Sequence, residues 1–240
     1  MKLYLIPSLL GDEATVHQSL PLYNLEVLNG LKIFVVEDLR SARRFIKKCN
    51  PQADIDSLTF FLLNEHSSEK DLMELKAVLK QKNEIGLISE AGLPCVADPG
   101  SQLVQLAHVE NYEIIPLIGP GSIYLALMAS GFNGQNFAFN GYLPLEKKQR
   151  QEAIKNYENL AKKNKQTQIF IETPYRNNQL LEEILNTCKL ETSVCIAHSI
   201  SLPQQFIKTK TVLDWLKQKP ELNKKPCIFL IYDTGNVKLN

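Results

Sequence analysis

The sequence predicts an α/β fold of two domains, with a parallel sheet in the first half and a mixed sheet in the second. Three observations predict it. Short apolar runs alternate with longer helical stretches at the start of the chain, the segment Ile118-Gly119-Pro120-Gly121-Ser122 interrupts that alternation, and closely spaced short strands follow. Strands covered on both faces read as continuous apolar runs, and parallel strands need crossovers between them, which the intervening helices supply. The glycine-proline punctuation sets the boundary, giving domains 1-117 and 118-240.

Leu3–Ile6 reads as the first buried strand. It is too short for a signal peptide: Pro7 ends it, and Asp12-Glu13 follow without a small-residue cleavage site. Ile33–Val36, Leu58–Leu63, Ile85–Ile88 and Glu113–Pro116 read as the next strands, with helices at Leu39–Lys48, Glu69–Gln81 and Gln102–Glu110 between them. In the second of these helices Leu72, Leu75 and Leu79 fall on one face, as expected of a helix covering a sheet. The apolar helix Ile123–Ser130 opens the second half. Phe137–Asn140, a charged helix Lys147–Lys163, Gln168–Glu172 and a helix near Asn178–Cys188 come next. Ser193–His198, Gln205–Lys208, Leu213–Lys217 and Cys227–Tyr232 follow as short, closely spaced elements that predict the mixed sheet.

Composition narrows the function classes. With 240 residues, 44% hydrophobic and 22% charged, the chain has ample apolar material for a core. Twenty-seven Lys and Arg against 26 Asp and Glu leave a formal charge of +1, which excludes a globally basic nucleic-acid coat and leaves room only for local patches. Two basic runs qualify. Arg40, Arg44 and Lys48 recur at four-residue spacing among Arg43 and Lys47, and residues 146–165 carry seven basic and three acidic side chains. The first run lies beside the expected cleft and is the better RNA-phosphate candidate; the second reads as a solvated helix face. Cys49, Cys95, Cys188, Cys195 and Cys227 form no Cys-x-x-Cys pair, which argues against a disulfide framework and a thiolate metal site and favours a reducing, cytoplasmic compartment. No segment approaches the ~18 apolar residues of a membrane span.

Open α/β sheets bind ligands in the loops beyond the carboxyl ends of their strands. Four such loops stand out in the first half: Pro7-Ser8-Leu9-Leu10-Gly11-Asp12, Glu37-Asp38-Leu39-Arg40, Ser89-Glu90-Ala91-Gly92-Leu93-Pro94 continuing to Asp98-Pro99-Gly100, and Gly119-Pro120-Gly121-Ser122. Ile171-Glu172-Thr173-Pro174-Tyr175-Arg176 is a fifth, in the second half. Glycines let backbone approach a ligand, and carboxylates accept hydrogen bonds from ribose hydroxyls or an ammonium group, a pattern suited to an adenosine cofactor. Turn punctuation accounts for any one loop alone. The third glycine of a dinucleotide fingerprint and a Gly-Lys-Ser/Thr phosphate loop are both missing, so NAD and ATP are poorly supported.

The run Ser89-Glu90-Ala91-Gly92-Leu93-Pro94-Cys95-Val96-Ala97-Asp98-Pro99-Gly100 follows Glu37-Asp38-Leu39-Arg40 and precedes Pro116-Leu117-Ile118-Gly119-Pro120-Gly121-Ser122. With Gly141-Tyr142-Leu143-Pro144 and Ile169-Phe170-Ile171-Glu172-Thr173-Pro174-Tyr175-Arg176, it resembles the tetrapyrrole methylase superfamily across nearly the whole chain. Within it, the ribosomal small-subunit methyltransferase I type, which methylates a cytidine 2′-hydroxyl of 16S rRNA with S-adenosylmethionine, is the most similar branch. The resemblance implies two α/β domains, a donor cleft between them and a homodimer. It also implies that Ser8, Leu10, Gly11, Asp12, Ser89, Glu90, Ala91, Gly92, Pro94, Gly119, Pro120, Gly121, Ser122, Glu172 and Thr173 lie near the donor. Two departures stand out. The family's Thr-Pro-Ile-Gly-Asn is here Ser8-Leu9-Leu10-Gly11-Asp12, and its Ala-Arg-Glu-Leu-Thr-Lys is Ala197-His198-Ser199-Ile200-Ser201-Leu202.

The sulfonium methyl of such a donor is already electrophilic, so the protein has mainly to align the reacting atoms and relieve the acceptor hydroxyl of its proton. Glu37, Asp38, His198 and Glu172 are candidate proton acceptors, and Arg40 or Arg176 a candidate phosphate or acceptor ligand. Each has a structural alternative: Glu37 and Asp38 also suit the positive end of the helix that follows, and a strand-end histidine often serves only as a hydrogen-bonded structural residue. Gly92→Val is expected to abolish donor binding with little change in the unfolding midpoint. The sequence therefore predicts a methyltransferase acting on an RNA ribose hydroxyl of the small ribosomal subunit. A small-molecule or tetrapyrrole acceptor, and a catalytically silent RNA-binding relative, remain open.

Overall fold

The computed structural model describes residues 1–233, which separate into two compact units, the first Met1–Gly121 and the second beginning at Ser122. In the first unit β1 (Lys2–Ile6), β2 (Ile33–Val36), β3 (Thr59–Leu62), β4 (Ile85–Ile88) and β5 (Glu113–Pro116) form one sheet in the order β3-β2-β4-β1-β5. Every pairing in it is parallel. The continuous apolar runs are explained by burial: β4, in the middle, is buried at all four positions, and Phe34, Val35 and Val36 of β2 are fully enclosed.

Helices α3 (Leu39–Cys49), α4 (Glu69–Lys80) and α5 (Ser101–Val109) make the crossovers. Asp38 caps α3 by accepting from Ser41 N at 2.7 Å, and Ser68 with Asp71 forms a reciprocal capping box on α4. Leu75, Val78 and Leu79 of α4 pack with Leu3, Val35 and Leu103 in the core, while Met73 faces solvent. Two helices, α1 (Val16–Ser19) and α2 (Leu22–Gly30), lie where no element is predicted from the sequence. Of α2 only Asn24 and Leu28 are buried, so it lacks the apolar stripe by which a helix is read. Asn24 instead anchors it, donating from Nδ2 to the Ile118 carbonyl at 2.8 Å.

The second unit opens with α6 (Ser122–Ser130). Its strands β6 (Phe137–Tyr142), β7 (Thr167–Ile171), β8 (Ser193–His198), β9 (Phe206–Thr211) and β10 (Cys227–Tyr232) form a mixed sheet in the order β6-β7-β10-β8-β9. Only β6 and β7 are parallel among these pairs. Helices α7 (Lys147–Asn164), α8 (Asn177–Thr187) and α9 (Val212–Lys217) complete the unit. The last corrects the strand-like reading of Leu213–Lys217: Thr211 caps a short helix that buries Val212 and Trp215, and the Trp215 indole donates to the Val194 carbonyl at 2.9 Å. Phe170 and Phe229 stack at the centre of this core at 6.2 Å. Among the described residues no helix is long and apolar enough to cross a membrane, and no group of acidic, histidine or cysteine side chains is arranged to hold a metal ion.

Candidate functional site

Because the first sheet is wholly parallel, the loops after β1, β2, β4 and β5 emerge on one edge, and Gly92 is where three of them meet. Its carbonyl accepts from Ser8 N and from Ser89 Oγ, both at 2.9 Å. Its φ is +77°, and a Cβ built there would stand 3.0 Å from the Leu10 side chain and 3.1 Å from the Pro120 carbonyl. The β1 and β5 loops touch again at Gly119, where a Cβ would fall 2.2 Å from Cβ of Pro7. Ser8, Leu10, Ser89, Gly92, Gly119 and Pro120 are thus brought together, and Pro94 is buried in the same β4 loop.

The rest of that loop is organised by Asp98, which was not among the predicted site residues. Its Oδ1 accepts from Cys95 N at 2.9 Å and Gly100 N at 2.8 Å, and Cys95 and Ala97 are held with φ of 66° and 62°. Burial raises the Asp98 carboxyl while these two hydrogen bonds oppose the rise. The signal in the sequence was the Asp-Pro-Gly turn itself.

Beside these loops a hollow of about 360 Å³ is lined by Ser8–Asp12, Glu90 and Ala91 on one side and by Ser41, Arg44, Phe45 and Lys48 of α3 on the other. Small-molecule sites occupy roughly 300–1,000 Å³. The Ser8 hydroxyl is buried with no hydrogen-bond partner among the described residues, and the close approach at Gly92 leaves backbone rather than side chain facing its neighbours. The Ser8 hydroxyl and the backbone at Gly92 fit a ligand such as S-adenosylmethionine, whose ribose hydroxyls and ammonium group need small acceptors and close backbone contact.

The two carboxylates after β2 differ in environment. Glu37 is half-buried and accepts from Glu90 N at 3.0 Å; burial pushes its carboxyl above the ordinary range, aided by Asp98, Glu90 and Glu65, while the Glu90 hydrogen bond resists. Asp38 is exposed and held below the ordinary range by the hydrogen bonds of its capping role. Arg40 is exposed on the first turn of α3.

In the second unit Glu172 is buried and its Oε1 accepts from Thr173 N at 2.6 Å and from Arg176 Nη2 at 2.6 Å, while Arg176 Nε also reaches Thr173 Oγ1 at 3.1 Å. The three predicted residues form a closed local network at the start of α8. His198 ends β8 and is 5% exposed; it stacks on Phe206 at 5.1 Å, and its Nδ1 lies 3.2 Å from Ser199 Oγ. Burial first, and then the Lys225 charge, hold its imidazole below the ordinary value, favouring the neutral ring. Ser199 and Ser201, which follow it, adopt φ of 51° and 65°. Gly121 ends the first unit and Ser122 opens α6.

The basic runs separate. Arg44 and Lys48 line the hollow, but Arg150, counted in the second run as a solvated charge, is buried. Its Nε and Nη2 meet the two Glu183 carboxylate oxygens at 2.5 and 2.7 Å, and its Nη1 donates to the Pro144 and Leu145 carbonyls. It pins the chain after Gly141-Tyr142-Leu143-Pro144, which the spacing of charges alone does not reveal.

No family model matches the chain. It is 30% identical over 200 residues, 82% of this chain and 85% of the relative, to a ribosomal RNA small subunit methyltransferase I of Thermotoga maritima. To proteins of the same name from Buchnera aphidicola and Vibrio cholerae it is 29% and 27% identical, covering 96% and 99% of this chain and 78% and 80% of theirs. Solved structures with the same fold include the methyltransferase CobJ, at TM-score 0.64 and 15% identity over 100% of this chain and 96% of that one. Another is a Thermus thermophilus uroporphyrin-III C-methyltransferase complexed with S-adenosyl homocysteine, at TM-score 0.58 and 13% identity over 97% and 98%. Those structures show the fold of two α/β units, and the near full-length sequence match goes further: the chain belongs to the ribosomal RNA small subunit methyltransferase I family.

Proposed function

We propose that this chain transfers a methyl group from S-adenosylmethionine to a ribose 2′-hydroxyl of small-subunit, 16S-like ribosomal RNA. The observation that carries the reading is the convergence of the β1, β4 and β5 loops on Gly92 beside a hollow whose far wall is cationic. Relatives named as ribosomal RNA methyltransferases at 27–30% identity favour RNA over a tetrapyrrole acceptor, since likeness to uroporphyrin enzymes extends to the fold alone. Arg44 and Lys48 at the hollow suit an anionic acceptor such as an RNA backbone. Such a substrate places the protein in the cytoplasm, and the family resemblance favours a homodimer.

Bound S-adenosylmethionine supplies an electrophilic sulfonium methyl group. The backbone around Gly92 and the Ser8 hydroxyl hold the donor, and alignment of the acceptor supplies most of the rate. Glu37 takes the hydroxyl proton: a carboxylate made more basic by burial is better matched to that task than an ordinary one. Asp38 keeps α3 in place as its cap, and exposed Arg40 meets the RNA backbone. In the second unit, Glu172 Oε1 is already occupied as acceptor of hydrogen bonds from Thr173 N and Arg176 Nη2, and burial disfavours protonation of the His198 ring.

The test is incubation with radiolabelled S-adenosylmethionine and small ribosomal subunits from cells lacking the corresponding gene. Label in RNA that is lost with Glu37→Gln, while calorimetry still shows donor binding, supports the reading. Donor binding by the unaltered chain with no label in RNA overturns it.

A further inference from the structure

Resting on the RNA reading above, we propose that Arg44 and Lys48 form a subsite for a backbone phosphate of the acceptor RNA and that Asp12 is the internal counter-anion the phosphate displaces. Asp12 was expected near the donor. Its carboxylate lies 3.8 Å from Arg44 Nη1, and its carbonyl accepts from Lys48 Nζ, so both cations of the hollow turn toward one residue of the β1 loop.

The two cations stand one helical turn apart on the same face of α3, above a floor made by Phe45, Leu9 and Leu10. Glu90 is the other acidic side chain of the lining and belongs to the opposite wall. The Arg44 and Asp12 side chains are 59% and 89% exposed, and at that exposure an ion pair contributes little and exchanges readily. A phosphate offers the guanidinium two parallel hydrogen bonds where the present contact is a single distant one, and it brings the release of counterions from the nucleic acid. The apolar floor suits a ribose rather than a second charge. Asp12 keeps the subsite from being filled by small anions and makes its opening conditional on a polyanion.

The experiment measures binding of 16S ribosomal RNA and of small ribosomal subunits from about 50 to 200 mM potassium chloride, a range over which phosphate contacts are resolved. Donor binding is followed separately by calorimetry. Arg44→Gln and Lys48→Gln each lower the slope of log affinity against log salt by about 1. Asp12→Asn raises that slope by about 1 and tightens RNA binding by roughly threefold, because a cation is released to the RNA. In the Arg44→Gln background Asp12→Asn has no further effect, since the two residues act as a pair. All variants retain the donor affinity of the unaltered chain.

Weaker donor binding in Asp12→Asn or Arg44→Gln, with RNA binding unmoved, overturns the proposal and assigns the subsite to the carboxylate of the donor. Unchanged salt slopes in all three variants overturn it as well. If the unaltered chain binds no donor, the methyltransferase reading falls, while the slopes still decide whether the subsite takes RNA phosphate.

Discussion

Glu37 is placed where burial works against its charge, and this separates a chemical role from a structural one. Its carboxyl is raised in the folded chain, so the group favours folding while protonated, below the ordinary glutamate value of 4.5, and that contribution disappears as pH rises through the higher folded value. Glu37→Gln, which still accepts from Glu90 N, is therefore expected to unfold at an equal or higher temperature than the unaltered protein at pH 7 and to show no advantage below pH 4, while methyl transfer falls by at least about 100-fold. Thermal melts at both pH values check the first part and single-turnover labelling the second. Asp38 makes the opposite case. As a cap, Asp38→Asn should retain stability and activity and Asp38→Ala should lose about 1 kcal/mol; loss of activity in the asparagine variant would move the base to Asp38. Gly92→Val cannot leave the midpoint unchanged, because φ of +77° and contacts of 3.0 and 3.1 Å confront a branched side chain. Left-handed backbone alone costs about 1–2 kcal/mol, roughly 2–8 °C in a chain of this size. Gly131→Ala is the control: with φ of +76° and open space around it, it reports backbone strain without touching the β1 and β4 loops, and donor binding should survive. At this scale the loop residues were legible because turn chemistry marks them. The Ser8 hydroxyl, without a partner among the described residues, and the organising role of Asp98 were not, because both depend on which neighbours the fold supplies.

Helices α3 and α7 carry similar charge runs and use them differently. In α3 the four-residue spacing of Arg44 and Lys48 survives as a face lining the hollow, so periodicity was informative. In α7 the same reading fails at Arg150, whose guanidinium leaves the solvated face to meet Glu183 of α8. The hydrogen bond and charge of Arg150 hold the Glu183 carboxyl below the ordinary range, with Gln179 assisting. The pair therefore stabilises the protein above the ordinary glutamate value and stops doing so as pH falls through the lower folded value. Arg150→Leu alone should cost about 3–5 kcal/mol by leaving a buried carboxylate unpaired, whereas Arg150→Leu with Glu183→Leu should recover most of it; urea titrations of the two variants decide. Helix α2 marks the other limit of the sequence: a helix fastened by one buried asparagine and one leucine has no periodic signature. Likewise α9 is six residues long, too short for its spacing to be told from that of a strand.

On the scale of the molecule, legibility followed the connections between strands rather than burial, since β3 and β5 of the first sheet have no buried position while β8 of the second is buried throughout. The all-parallel order of the first unit follows from apolar runs joined by helices, while the antiparallel pairings of the second rest on turns that carry little pattern. A donor that binds only the folded chain adds about 2.7 kcal/mol at 100 times its dissociation constant, so S-adenosylmethionine should raise the melting midpoint by roughly 5–11 °C. Differential scanning calorimetry with and without the donor checks this, and an unmoved midpoint would count against donor binding. The interlock of Pro7 with Gly119 has an evolutionary consequence. Because Cβ and Cγ of Pro7 occupy the place a side chain at 119 would need, position 119 cannot drift alone: any residue with a Cβ there demands glycine at 7 or a loop reset by about an ångström. A replacement of Gly119 in descendants of this chain should arrive only with a change at position 7 or a reshaped loop, whereas position 7 stays free to vary while 119 remains glycine.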